Sequence, residues 1–310
     1  MTTLLFVFTL ALPATGGQAR AEIQASGQFN VASASAEPSP LGPLDWSRMG
    51  GGGELEATIF LGRPLVDDEA PLSVQAFLQR ETALSLGASG GMLSLGWSQT
   101  GTTLIHRDWK EGSASASLGG YFHWLYLAGS LAYRNTAWQD QLRSGAGSLQ
   151  SPSMTEAELP VSATLGARIA DTLVFVGWGL TVMSRGSSST PSQVPFWGGA
   201  FAGAQSIIGR RVSLQGGVTV LDGGASVNAR VELFFGRRLG LFLGVSGGAS
   251  KVTDASPPFR DSFAGGAAGA ALWVTRHLKI ELTYEPTWER PSNGTDTISH
   301  LIALAVSARL

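Results

Sequence analysis

Leu278, Ile280, Leu282 and Tyr284 alternate with Lys279, Glu281, Thr283 and Glu285, so this stretch reads as a strand with one apolar and one charged face. The same period recurs along the chain. Val227, Ala229, Val231, Leu233 and Phe235 alternate with Asn228, Arg230, Glu232 and Phe234. Val174, Val176, Trp178, Leu180 and Val182 alternate with Phe175, Gly177, Gly179 and Thr181, and the runs from Leu159 to Ile169 and from Val212 to Val220 behave alike. A helix has no use for this pattern, because period two scatters apolar residues around its surface. Each run is about 9–14 residues long, the length a tilted strand needs to cross a bilayer and more than the ~5–6 of an ordinary strand.

Counting back from the end predicts strands over 297–310, 277–286, 262–275, 239–250, 225–235, 211–220, 195–208, 172–183, 156–169, 125–138 and 113–123, with a first one within 82–100. The expectation is therefore an all-β chain, a single antiparallel transmembrane barrel of about twelve strands. Glu54–Leu61 and Leu72–Leu78 also alternate, and adding them gives fourteen, the alternative count. Twelve is preferred because Pro64, Pro71, Asp67-Asp68-Glu69 and Arg80 suit a lipid face poorly, where Arg costs about 2–4 kcal/mol. Connections alternate in length as well. Short ones fall near His123-Trp124, Ala170-Asp171, Gly209-Arg210, Gly236-Arg237-Arg238 and Arg276-His277; longer ones cover 139–153, 184–193, 251–261 and 286–296. Short periplasmic turns and longer extracellular loops are what such barrels carry.

The N-terminus has a different character. Leu4–Leu12 is an apolar run too short to span a bilayer as a helix, and Ala19-Arg20-Ala21 is a small-x-small cleavage site, so residues 1–21 read as a signal peptide. Residues 26–43 are rich in Ser, Ala, Pro and Gly, a linker composition, and Gly50–Gly53 reads as a hinge. Residues 22–80 are accordingly expected to form a periplasmic lead that plugs or partly joins the barrel, with the barrel itself over 81–310.

Composition agrees with export to a membrane. Only 14% of residues are charged, against about 25% in a soluble domain, and there are 41 glycines. The net charge of −2 offers no basic surface for nucleic acid. The absence of cysteine removes disulfides, thiolate nucleophiles and Cys-based metal sites.

With its alternating strands, its glycines and its aromatics near strand ends (Trp97, Trp109, Tyr121, Trp124, Trp138, Trp178, Trp273, Tyr284 and Trp288), the chain resembles the outer-membrane β-barrel proteins of Gram-negative bacteria over Thr82–Leu310. The resemblance is one of pattern. It implies residence in the outer membrane, with the lipid bilayer and its lipopolysaccharide around the wall and the barrel-assembly machinery as a partner. Family members often end on an aromatic residue; this chain ends on Leu310.

On this reading Val176, Trp178, Leu180, Val231, Leu233, Ile280, Leu282, Ile302 and Leu304 face lipid. Arg134, Glu158, Arg168, Arg230, Glu232, Lys279, Glu281, Glu285 and Arg309 face the lumen, either as a constriction that selects a solute or as an ion-pair ladder that holds the wall. No enzyme is expected. Outer-membrane phospholipases use a His and a Ser two residues apart, whereas His106, His123, His277 and His300 are followed at that spacing by Asp108, Leu125, Lys279 and Ile302. Asp67-Asp68-Glu69 lacks the spacing of a calcium loop and reads as a solvated turn, as does Asn293-Gly294-Thr295. No cofactor is called for. The expected function is a passive pore or transport-related channel; the alternatives are a structural or surface-interaction barrel without conduction and, less well matched to the long strands, a soluble exported β-sandwich.

Overall fold

The computed structural model describes residues 4–5, 19–39, 42–61, 70–72, 74, 77, 82–99, 102–144, 147–187, 190–193, 196–221, 223–252, 259–291 and 296–309. These form one antiparallel sheet closed on itself. Its wall strands are β1 (Ala19–Ser39), β2 (Gly42–Leu61), β3 (Thr82–Gln99), β4 (Thr102–Phe122), β5 (Leu125–Ser144), β6 (Met154–Ile169), β7 (Thr172–Ser187), β8 (Phe196–Ile208), β9 (Val212–Leu221), β10 (Gly224–Phe235), β11 (Leu239–Val252), β12 (Phe259–Trp273), β13 (Leu278–Pro291) and β14 (Thr297–Arg309). Each pairs with its neighbours in sequence, and β14 closes on β1 from Thr297↔Ala36 to Arg309↔Gln24. Leu4–Leu5 pairs with Gln28 and Gly27.

The wall thus has fourteen strands, and the expectation of twelve is corrected. The two additional strands are β1 and β2. Leu72 and Val74, which the alternation of 72–78 put in the wall, lie instead in the connection between β2 and β3. Residues 26–39 look like linker because Ala, Ser and Gly carry most of the alternation; only Phe29 and Val31 mark its outer face, where both are about half exposed. Gly50–Gly53 lies within β2, paired with Leu93, Met92, Gly91 and Gly90 of β3. Asp67-Asp68-Glu69 and Asn293-Gly294-Thr295 lie outside the described residues.

At one end the strands join through short turns. His123 (φ 59°), Ala170 (φ 50°) and Arg210 (φ 56°) take left-handed conformations there, which tighten the chain reversal. Most of the longer connections lie at the other end, called the loop end below. Several strands run to 20 or 21 residues, well beyond what a bilayer needs, so the wall projects past the membrane.

The register makes the two faces explicit, since directly paired residues point to the same side. Val176 pairs with Leu165, Trp178 with Ala163, Leu233 with Leu241, and Leu282 with Leu304; the large side chains among these are 40–60% exposed. A continuous band of exposed Leu, Val, Ile, Phe and Trp on a closed wall would aggregate in water. It is stable where the surroundings are hydrocarbon.

Candidate functional site

The opposite face of the same strands lines the lumen. Small residues dominate long stretches of it: Ser85, Gly87 and Ser89 of β3 pair with Ser117, Ser115 and Ser113 of β4, and Ser130 of β5 pairs with Ser162 of β6. Hydroxyls bridge the seams, with Ser89 Oγ 2.7 Å from Ser113 Oγ and Ser130 Oγ 2.7 Å from Ser162 Oγ. Such pairs satisfy one another while leaving width in the lumen.

Charge is arranged as ion pairs, one across a seam and two along a strand. Arg134 Nη1 donates to Glu158 Oε2 at 2.9 Å, joining β5 to β6. Arg230 lies 3.6 Å from Glu232, its guanidinium 3.7 Å above the Phe242 ring, while Lys279 pairs with Glu281. Glu232 lies within Coulomb range of Lys279 and Glu281 as well as Arg230, near the turn end. The expected residue Glu285 is half-buried and pairs in register with Leu301, without an ion pair among the described residues. Arg309 stands opposite Gln24 at the end of β14; its side chain lies outside the described residues.

Among the residues expected to face lipid, Val176, Trp178, Leu233, Leu282, Ile302 and Leu304 are exposed, whereas Leu180, Val231 and Ile280 are partly covered by their neighbours.

Arg168 has a different task from these pairs. It is 2% exposed, donates from Nε to the Ala170 carbonyl at 3.1 Å and from Nη1 to the Phe77 carbonyl, and its guanidinium lies 4.2 Å over the Phe77 ring. The Tyr121 ring lies 5.5 Å from the same guanidinium, and its hydroxyl accepts from Arg168 Nη1 at 3.4 Å. Beside this contact Val74 packs with Ile207 and Phe234, all under 8% exposed, and Leu72 donates its N–H to the Arg237 carbonyl at 3.1 Å. The described residues of the β2–β3 connection therefore fill part of the turn-end mouth.

Several inner-face groups escape sequence reading. Arg107 and Asp140 form a two-pronged pair, Nε–Oδ1 2.5 Å and Nη2–Oδ2 2.8 Å, next to the stacked rings of Trp109 and Trp138. Glu54, Glu56, Asp261 and Glu289 also lie on the inner face, opposite Ser89, Gly87, Pro291 and Phe263. Among the described residues none of these four carboxylates, nor Glu285, has an ion-pair partner, so the wall of β12, β13 and β2 carries an excess of negative charge. Across the lumen, β7–β10 present Phe175, Phe201, Gln205, Gln215, Thr219 and Asn228 around a cavity of about 240 Å³, with no charged residue among its lining. The parity of Gln205 and Gln215 was legible, but nothing in one strand's sequence says which strand faces it.

No family model matches the chain, and no curated protein matches its sequence. In structure it is similar to the translocator domain of the autotransporter NalP from Neisseria meningitidis, with a TM-score of 0.52 and 13% identity, covering 97% of this chain and 91% of that one. It is also similar to the outer membrane protein Omp33 of Acinetobacter baumannii, with a TM-score of 0.46 and 13% identity, covering 91% and 98%. At 13% identity the NalP likeness is one of fold. Together with the apolar outer girdle, the fold defines the class: this is a transmembrane β-barrel of the outer-membrane kind.

Proposed function

We propose that the protein is a passive outer-membrane channel with a preference for cations. The observation that carries this is the inner face itself. A closed wall of fourteen strands encloses more width than its own side chains need, and this one is lined by hydroxyls, glycines and a surplus of carboxylates. The Arg134–Glu158 pair ties β5 to β6, while the unpaired carboxylates of β2, β12 and β13 set the sign of the field. Residues 1–21 are read as a signal peptide, so the working channel begins at Glu22 and β1 loses its first three residues, Ala19–Ala21.

The test is single-channel recording on protein spanning Glu22–Leu310, refolded into planar bilayers. Discrete ohmic steps with a cation-shifted reversal potential are expected. Silence from protein whose insertion is independently verified would overturn the channel reading. It would favour a second one, a barrel without conduction, which the packing of Val74 on Ile207 and Phe234 at the turn-end mouth supports.

A further inference from the structure

The outer wall carries a constellation unrelated to the lumen. Where β3 meets β4, Ser94 stands directly opposite Asp108, and His106, opposite Gly96, is one step along on the same face. Ser94 Oγ donates to Asp108 Oδ1 at 3.1 Å and lies 3.2 Å from His106 Nε2, which itself lies 3.3 Å from Asp108 Oδ1. A hydroxyl, an imidazole and a carboxylate in mutual reach are the parts by which a serine becomes a nucleophile. No single strand carries all three, since the serine comes from the neighbouring strand.

Their position adds a second argument. On β3 and β4 the outer face is apolar through Leu84, Leu86, Leu118 and Met92, all more than one-third exposed, and becomes polar at Ser94, Lys110, Asp108 and His106. The three residues thus occupy the first polar rows above the hydrocarbon girdle, towards the loop end. Ester bonds of membrane lipids sit at a boundary of this kind, between acyl chains and head groups. A groove of about 650 Å³ opens beside them on this wall, with Phe29, Met49 and Met92 on its apolar side and Ser94, Asp108 and Lys110 on its polar side. This is the size and the mixture of surfaces expected of a site for a ligand with an apolar tail and a polar head.

We infer that Ser94, His106 and Asp108 form a hydrolytic site for carboxylic esters of lipids in the loop-end leaflet, with the acyl chain lying along Phe29, Met49 and Met92. The Ser94 hydroxyl turns its hydrogen from Asp108 Oδ1 to His106 Nε2, and as Oγ bonds to the ester carbonyl carbon that proton passes to the imidazole. The C–O bond to the alcohol breaks, and the alcohol leaves with that proton. Water then attacks the acyl-serine, gives a proton to His106, and releases the carboxylic acid as Ser94 recovers its hydrogen. The sum is ester plus water giving acid plus alcohol. Asp108 is a positioning residue: its carboxylate lies beside the nitrogen that gains the proton and offsets the charge formed there. Lys110 is the one cation among the described lining of the groove.

The test uses the chain from Glu22 to Leu310 folded in detergent micelles, with folding monitored by its heat-modifiable electrophoretic mobility. The probes are a fluorophosphonate and p-nitrophenyl octanoate. Covalent labelling of the peptide holding Ser94 and turnover of the ester are expected, both abolished by Ser94→Ala. His106→Ala is expected to slow labelling by about 100-fold or more. Asp108→Asn is expected to lower kcat while leaving KM near its starting value, a split that a general loss of structure does not produce. Folded protein that is not labelled at Ser94, or is labelled equally fast without His106, would overturn the assignment. Since the site lies outside the lumen, Ser94→Ala leaves single-channel conductance unchanged, so this result and the channel reading are decided separately.

Discussion

Phe201 lies across Gly177, the residue directly opposite it on the neighbouring strand: a Cβ built on Gly177 would fall 2.1 Å from Phe201 Cζ. The relation is returned two residues along, where a Cβ on Gly203 would fall 2.7 Å from Cζ of its own partner, Phe175. Phe242 covers Gly269 in the same manner. Each ring is laid against the wall by a facing glycine instead of standing out toward the barrel axis, which buries apolar area without closing the lumen. Gly177→Ala therefore forces the Phe201 ring off the wall. Overpacking of this kind costs about 1–3 kcal/mol. The expected result is a lower urea midpoint for folding in micelles and a smaller unit conductance, with the midpoint largely restored in the double variant Gly177→Ala/Phe201→Leu. An unchanged midpoint in the single variant would show that the ring has room elsewhere.

Arg168 ties the β2–β3 connection to the wall through the Phe77 carbonyl and ring. Removing one partner of a buried charge-assisted contact costs about 1.5–3 kcal/mol, and here most of that loss falls on the contact with the connection. Arg168→Ala is expected to raise single-channel conductance and to expose residues 70–77 to protease added on the turn side, while the wall stays folded. Arg168→Lys keeps the charge but loses the planar stacking and the forked donors, so it should fall between wild type and alanine. Identical conductance in all three would mean that the packed residues leave the current path clear.

How much of this was readable beforehand depended on which residues carried the alternation. Leu278–Tyr284 and Val227–Phe235 announce their faces because large apolar residues alternate with charges. Ser26–Ser39 does not, because alanine and glycine serve on both faces of a barrel wall and Phe29 and Val31 alone mark the outside. The tetraglycine Gly50–Gly53 has the composition of a hinge, yet its backbone pairs as well as any other, and pairing is all a wall strand requires of it. The lumen charges were legible one residue at a time, as with Arg134 and Glu158, since each sits on the polar face of its own strand. Relationships between strands were not: Arg107 with Asp140, Phe201 with Gly177 and Ser94 with His106 depend on register, which period two fixes only to within an even shift.

The surplus of carboxylates on the inner face makes a prediction about ions. Glu54, Glu56, Asp261, Glu285 and Glu289 stand without ion-pair partners among the described residues, and Glu56 accepts only the Thr58 hydroxyl at 3.2 Å. Unpaired charges set the potential of the lumen, whereas paired ones largely cancel. Under a salt gradient the reversal potential is expected on the cation side, and Glu54→Gln with Glu285→Gln should move it toward zero without altering heat-modifiable folding. Neutralising a paired group with its partner, as in Arg134→Gln with Glu158→Gln, should move it much less. Anion preference in the unaltered channel would reverse the assignment of the field.

The two faces of the wall can be tested with one substitution placed twice. Leu282 is 52% exposed on the outer girdle and pairs with Leu304, so an arginine there would be set in hydrocarbon. The cost is about 2–4 kcal/mol near mid-bilayer, enough to depress the folded fraction strongly. Gln215 lies on the inner face opposite Gln205 and Arg230 and borders the lumen cavity. An arginine there is wetted by the lumen, at the expense of added repulsion from Arg230. Leu282→Arg is thus expected to fold poorly into lipid vesicles, while Gln215→Arg folds as wild type and weakens cation preference. A Gln215 variant as defective as the Leu282 variant would place β9 the other way round. Because the side-chain period is two, that error would carry every residue from Val212 to Leu221 to the opposite face with it.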